Sequence, residues 1–448
     1  MTEFAGKARD TLVAALGRRT FLRAAAAVSA GGLTAGATAT PANAQTRTSP
    51  GGILQPGTGP IPGRHYLPSR PDEVRWGYVP SVTSEPVLRM RSGQTVTIDA
   101  VSHEGILEDQ GRDPVSFFAG HGVPARRVLT DAVAIARGYD RTPRSFDVDG
   151  PHVVTGPIHV DGAAPGDVLK IEVLSAVPRV PYGVVSSRHG KGALPRLAGG
   201  AVPPGITEAE IMPPVATDGR ATGDPLRYGN VSVFTPVRSG RGGALTGVLP
   251  RPGHRDVAFP LHPFMGIMGV AFADAGSLTD PLLNSIPPTL GGGNIDISLL
   301  GPGATFYLPV FAEGALFYVG DPHLAMGDGE VALTALEGSL RATYRLTVVK
   351  KGGRGAPSVA FTYPFAETPQ AWVPIGLSDP DGARDGQGND LDIAMRRAVV
   401  NALDFLEHDL GMNRAVAYAY LSAAADFSVS QVVDGTVGVH GVIPKTHF

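Results

Sequence analysis

The sequence predicts a mainly β protein of packed sheets, sandwich- or barrel-like, with a small α+β portion at the carboxy-terminal end. Three observations predict it. Short runs alternating apolar and polar residues recur between about 72 and 350, as half-buried strands require. The 59 glycines and 40 prolines fall between these runs without a short period, which fits many turns and excludes a collagen-like repeat. Beyond Leu391 the apolar spacing widens to that of a helix.

The elements follow in chain order. Residues 45–71 are rich in Thr, Ser, Gly and Pro and read as an extended arm or linker. Residues 96–101 alternate as a strand, and 125–137 read as a helix. Ala164-Pro165-Gly166-Asp167 is a turn feeding a strand over 168–174. Residues 305–310 and 315–320 form a further strand pair, and 341–349 a long strand. Leu391, Met395, Ala398, Ala402 and Phe405 lie on one helical face, with Gly411 placed as a carboxy-terminal cap. A second helix is expected over 414–425, with Asn413 as its amino-terminal cap. Residues 429–439 return to strand. The expected organisation is a signal over 1–44, the arm over 45–71, a β-rich core over 72–350, and an α+β portion over 351–448 that completes the same fold.

Charge and composition narrow the function. Hydrophobic residues make up 43% of the 448, enough for a buried core. Residues 1–44 carry five basic and two acidic side chains, leaving 33 basic against 39 acidic in the rest. An acidic body lacks the basic face that nucleic acid requires. The absence of cysteine removes disulfides, zinc–thiolate sites and any Cys nucleophile.

Gly17-Arg18-Arg19-Thr20-Phe21-Leu22-Arg23 looks like a twin-arginine export motif. A weakly apolar stretch follows over 24–39 and ends at Pro41-Ala42-Asn43-Ala44, an A-x-A cleavage site. The expectation is cleavage after Ala44, use of the twin-arginine export machinery, and a periplasmic or secreted mature chain. No other segment has a membrane-spanning run of apolar residues.

The usual hydrolase signatures are absent: no G-x-S-x-G, no H-E-x-x-H and no phosphate-binding Gly-rich loop. A hydrolase built without them most economically uses water activated by a divalent cation. Three clusters offer ligands. Residues 320–330, Gly-Asp-Pro-His-Leu-Ala-Met-Gly-Asp-Gly-Glu, hold His323 with Asp321, Asp328 and Glu330. Such residues also make ordinary solvated turns. The apolar residues before His323 and after Glu330 favour function, placing Glu330 at the start of a strand and pointing inward. Gly291-Gly292-Gly293-Asn294-Ile295-Asp296-Ile297 puts Asn294 and Asp296 on one face of a strand, where a cation or a substrate amide would satisfy them. The third cluster is Asp99, His103 and Glu104; if the strand continues to His103, Asp99 and His103 share a face and join one metal sphere, the alternative being an exposed histidine. Two further stretches are structural or substrate-facing. One carries His152 and Thr155; the other, 261–270, carries His262, Phe264 and close-packed Gly266 and Gly269.

Four separated segments, in order, carry a resemblance. They are Thr155-Gly156-Pro157-Ile158 with 161–169; Phe264-Met265-Gly266-Ile267-Met268-Gly269-Val270-Ala271; Gly292-Gly293-Asn294-Ile295-Asp296-Ile297; and Leu308-Pro309-Val310 through Gly320-Asp321-Pro322-His323 to Gly327-Asp328-Gly329-Glu330. Over roughly 85–440 the chain resembles the acetamidase/formamidase family. The resemblance implies hydrolysis of a short linear amide, of the formamide or acetamide type, to carboxylic acid and ammonia. It further implies a divalent metal, zinc or calcium, and a homo-oligomer, a dimer first among the options. Carried onto matching positions it points to Asn294, Asp296, His323, Asp328 and Glu330. The resulting expectation has Asp296, His323 and Glu330 at the metal, joined by Asp99 and His103, with Glu330 or Asp328 as general base. Asn294, His152, Thr155, His262 and Phe264 are expected at the substrate. The export signal and a basic stretch over 111–142, which looks like an insertion, depart from the family pattern. Two other readings stay open: an exported β-sandwich binding a small ligand or calcium without turnover, and a hydrolase of a cyclic amide.

Overall fold

Val96 and Ile98 are buried on the strand Gln94–Ala100, which pairs antiparallel with Leu340–Val349 so that Ile98 faces Ala342 and Val96 faces Tyr344. This pairing starts a sheet built of strands far apart in sequence. The computed structural model describes residues 52–146, 148–214, 230–240, 243–272, 283–381 and 388–448. The expected export signal lies outside the described residues. Thr46–Phe448 groups as one unit.

Among the described residues the first sheet has nine strands. Their order is His65–Leu67, Gln94–Ala100, Leu340–Val349, Val168–Pro178, Thr305–Pro309, Phe365–Glu367, Ala371–Leu377, Gly438–Pro444 and Asp426–Gln431. The first pair is parallel and the others antiparallel. The second sheet has eleven described strands and is centred on Phe317–Ala325. Phe264–Gly269 runs along one side of that strand. On its other side Val153–Asp161 pairs with the first half and Leu336–Glu337 with the second.

The inner faces of both sheets share one core. Ile98, Phe306, Leu346 and Val373 come from the first sheet, Met265, Phe317 and Val319 from the second. The rings of Phe317 and Tyr344 meet edge-on at 5.7 Å between the sheets. Burying each such side chain contributes roughly 1.5–3 kcal/mol, so this shared face is the main source of stability. The helix Leu391–His408 covers the outer side of the first sheet, with Phe405 5.0 Å from Phe365 and 5.1 Å from Trp372. Gly376 permits that contact, because a Cβ there would lie 2.1 Å from the Ala394 carbonyl oxygen. No described helix is long and apolar enough to cross a membrane.

Several elements differ from expectation. The arm is partly a sheet strand: His65–Leu67 pairs with residues 96–98. The helix expected over 125–137 is a short 3-10 turn, Ala125–Arg127, followed by the helix Thr130–Gly138; Pro124 and the extended Val128 and Leu129 separate its backbone into two pieces. A preceding helix, Pro114–Gly120, is capped by the Asp113 side chain, which accepts from the Val115 N–H. The strand expected over 429–439 is a hairpin, Asp426–Gln431 and Gly438–Pro444, because Asp434-Gly435 turns the chain. Asn413 caps the helix Arg414–Ala424 as its sequence requires.

Candidate active site

Strand pairing brings the site together. His323 lies opposite Glu337 in the second sheet, and its Nε2 sits 3.1 Å from Glu337 Oε1. The same nitrogen hydrogen-bonds Asp321 Oδ2 at 3.0 Å and lies 3.7 Å from Glu330 Oε1. His323 Nδ1 is 3.8 Å from Asp296 Oδ1. Asp321 extends the cluster the other way: Oδ1 is 3.5 Å from His103 Nδ1 and Oδ2 is 3.6 Å from His152 Nε2. Glu104 stands behind His103, 3.5 Å from its Nε2. Ser285 Oγ lies 3.0 Å from His152 Nδ1 and fixes that ring.

Asp434 arrives from the carboxy-terminal hairpin. Gly329 N–H donates to the Ser430 carbonyl at 2.9 Å, which pins the turn carrying Glu330 to the strand Asp426–Gln431. Gln431 Oε1 accepts from the N–H groups of Val433 and Asp434 and closes the next turn. Asp296, Glu330 and Asp434 thereby form one metal-competent triad. The others are His103, His152, Asp321; Asp296, Asp321, His323; and His323, Glu330, Glu337. Within each triad the ligand atoms lie within 4.8 Å of one another.

The donors are largely unspent. Both ring nitrogens of His103, both carboxylate oxygens of Asp296, Asp321 Oδ1, His323 Nδ1, Glu337 Oε2, Asp434 Oδ2 and Asn294 Oδ1 are buried without a hydrogen-bond partner among the described residues. A buried unsatisfied polar group costs on the order of 1–3 kcal/mol, and so many in one place call for a cation or a polar ligand. The donor set of imidazole and carboxylate fits a divalent metal. Gly266 makes room for it: a Cβ there would fall 2.4 Å from Asp296 Oδ1 and 2.8 Å from Asp321 Oδ2.

Crowding sets the electrostatics. Burial, with Asp434 next, holds the Asp296 carboxyl well above the usual carboxylate range, and burial with Asp296 does the same to Glu330. Burial and then Asp321 push Glu337 up to about 7. Burial disfavours a charged His103, yet the Asp321 and Glu104 carboxylates override it and raise the ring to about 10. His152, governed by burial, falls to about 4. Burial opposes ionisation of Asp321, but the neighbouring His152 and His323 rings hold it well below the usual range.

A cleft of about 780 Å³ opens onto the cluster, reaching His103, His152, Asn294, Asp321, Glu330, Glu337 and Asp434. Farther out its walls include Leu107, Phe146, Ile286, Leu333 and Val433.

Residues 255–448 match the sequence model of the Acetamidase/Formamidase family, the span that supplies most of these ligands. Over that span, less than half of its length, the chain is similar to the acetamidase/formamidase family. A Schizosaccharomyces pombe protein named for formamidase is 27% identical over 231 residues, 47% of this chain; the match spans 54% of that relative, so about half its length is represented. The acetamidase of Mycolicibacterium smegmatis is 26% identical over 303 residues, 59% of this chain and 71% of its own. The crystal structure of an acetamidase from Yersinia enterocolitica shares the fold, with a TM-score of 0.59 over 88% of this chain and 95% of that one, at 22% identity.

Within this fold, the sequence-derived candidates divide. His323, Glu330, Asp296, His103 and His152 converge, and Asn294 lines the cleft beside them. Phe264 packs edge-on against His323 at 5.0 Å and is a wall of the cluster. Four candidates lie elsewhere. Asp99 is not with His103, because the strand ends at Ala100; its carboxylate is taken by Arg341 at 2.6 and 2.8 Å, by Arg179 and by Tyr66. Asp328 is exposed and accepts from Ser298 Oγ at 2.9 Å. Thr155 is buried against Ser69 Oγ at 2.7 Å, and His262 is exposed and away from the cluster. Glu330 points inward as expected, but from a turn with φ 46° rather than from a strand, and Val331 after it is exposed. The strand Gly292–Asn294 stops before Asp296, whose φ is 46°.

Glu337 and Asp434 were not legible as site residues. Glu337 gives one faint signal, a lone carboxylate between Ala335-Leu336 and Gly338. Asp434-Gly435 reads as any surface turn.

Proposed function

We propose that this chain is a metal-dependent amidase that hydrolyses a linear, non-peptide amide to a carboxylic acid and ammonia. The observation that carries the reading is the convergence of three imidazoles and five carboxylates, buried and largely unpartnered, at the end of an open cleft. The chemistry a cation supplies when bound there is polarisation of the amide carbonyl and activation of water near neutral pH. His103, His152 and Asp321 would hold it on the cleft side, with Asp296 and His323 behind. Histidine among the donors favours zinc; the Asp296, Glu330, Asp434 triad alone, all oxygen, would suit calcium.

The chain's own residues divide the remaining work. Asn294 Oδ1, buried and unpartnered, is placed to accept a hydrogen bond from the substrate N–H and so orient the amide. Glu330 faces the cleft, whereas Asp296 and His323 do not line it. Glu330 therefore takes the proton from the attacking water and delivers it to the departing nitrogen, with Glu337, 3.1 Å from the same His323 nitrogen, placed to share it. The burial of the site keeps bulk water from competing with these hydrogen bonds.

The test is ammonia release from formamide and acetamide, with elemental analysis of the same protein. Release that a chelator removes and one added cation restores supports the reading. Stoichiometric metal without turnover on any amide favours a binding protein instead. Glu330→Gln is expected to lower kcat by about 10²–10⁴-fold with an unchanged circular dichroism spectrum; near-normal turnover would take Glu330 out of the mechanism.

A further inference from the structure

The cleft is far larger than the amides for which the relatives are named. At about 780 Å³ it sits in the upper part of the roughly 300–1,000 Å³ range of pockets that enclose drug-sized ligands. At about 30 Å³ per water, it would hold on the order of twenty-five water molecules. A two-carbon amide bound at Asn294 and Glu330 would leave most of that volume wet and most of the wall untouched.

The wall has a definite chemistry. Its deep end is the buried polar cluster, and its outer part is apolar and half-exposed: Phe146, Ile286, Leu333 and Val433. The cations nearby are already engaged. Arg188 holds Asp109 at 2.7 and 3.1 Å, and Arg144 holds Glu108 and lies 4.4 Å over the Trp76 ring. Lys191 is not free either. Among the described residues, no unpaired positive charge in this wall asks for an acidic substrate. Apolar surface that stays half-exposed in an otherwise well-packed protein is surface a ligand would gain by covering.

We infer that the substrate is an uncharged amide whose acyl group is bulky and apolar, an aromatic or medium-chain group lying along the Phe146–Val433 wall with its carboxamide against the buried cluster. The inference rests on the amidase reading and narrows its substrate class. It leaves formamide and acetamide as weak substrates that fill only the deep end.

The experiment compares kcat/KM for acetamide, hexanamide and phenylacetamide with the metal-loaded protein, wild type and Phe146→Ala. The expected result is a rise of at least tenfold from acetamide to phenylacetamide, since each methylene in a fitting apolar pocket is worth tenfold or more. Phe146→Ala is expected to lose several-fold on phenylacetamide while acetamide stays within twofold. Acetamide as the best of the three would overturn the inference and leave the amidase reading standing. Equal loss on both amides in Phe146→Ala would remove this wall from acyl recognition. No ammonia from any of the three would overturn the amidase reading itself.

Discussion

Gly266 occupies a position where a single hydrogen instead of a methyl group decides whether the site can exist. Its missing Cβ would clash with Asp296 Oδ1, His323 Cε1 and Asp321 Oδ2, all within 2.8 Å. Gly266→Ala is expected to abolish bound metal and turnover, whereas Gly327→Ala, which meets nothing within 4 Å, is expected to keep both. Metal content of the two purified variants checks this; a fully loaded Gly266→Ala protein would break the argument. Asp99 presents the opposite case, a buried carboxylate with a structural role. Arg341 and Arg179 would be left buried without their common partner in Asp99→Asn, at a cost of about 3–5 kcal/mol. The expected outcome is a lower midpoint in denaturant with metal binding retained, and loss of metal with normal stability would return Asp99 to the site. Both residues were named from the sequence, one for packing and one as a ligand. The first reading needed only the spacing of Gly266 in an apolar strand. The second failed because whether a carboxylate meets a metal or an arginine depends on Arg341, 242 positions away.

At the level of elements, the hairpin and helices of the carboxy-terminal part seal the sheet that backs the site. One seal is electrostatic: Lys445 reaches Glu367 Oε2 at 2.5 Å, and Tyr307 donates to Glu367 Oε1 at 2.6 Å. Burial alone would raise the Glu367 carboxyl, but these two hydrogen bonds hold it below its ordinary value. The folded pKa is therefore lower than the unfolded one. The pair's contribution is present above the unfolded value of about 4.3 and is lost as pH falls through the folded value. Glu367→Gln is expected to lower stability at pH 7 and to flatten its decline on the acid side, read as unfolding midpoints between pH 7 and pH 3; a decline unchanged from wild type would exclude the pair. Regular elements here were mostly legible. The long strands and both carboxy-terminal helices follow from periodicity and from caps such as Asn413. Asp296, Asp321 and Glu330 were harder to place because each has a left-handed φ, between 46° and 48°, where periodicity carries no information.

For the molecule as a whole, the amino-terminal sequence bears on export. We propose that Gly17–Arg23 directs twin-arginine export, so Arg18→Lys with Arg19→Lys is expected to retain the chain in the cytoplasm. Cell fractionation reads the outcome, and undiminished export would sink the targeting proposal. A folded, metal-loaded precursor is a suitable cargo for that route, since the ligands come from segments near residues 103, 152, 296, 321–337 and 434 and meet only after both sheets form.

The sequence by itself determined the periodic elements, the β-rich class, the likeness to the acetamidase/formamidase family and the segment around His323. These are local properties, set by the spacing of apolar residues and by runs of neighbouring side chains. Only the tertiary structure decided which carboxylates share the site. His323 meets Glu337 through a sheet register, Asp434 reaches Glu330 because the Glu330 turn is hydrogen-bonded to the strand that leads into the Asp434 turn, and Asp99 is lost to Arg341 across a strand pair. Each of these is a long-range pairing whose partners carry no mark in their own neighbourhoods, so burial and register, rather than motif, assemble the chemistry.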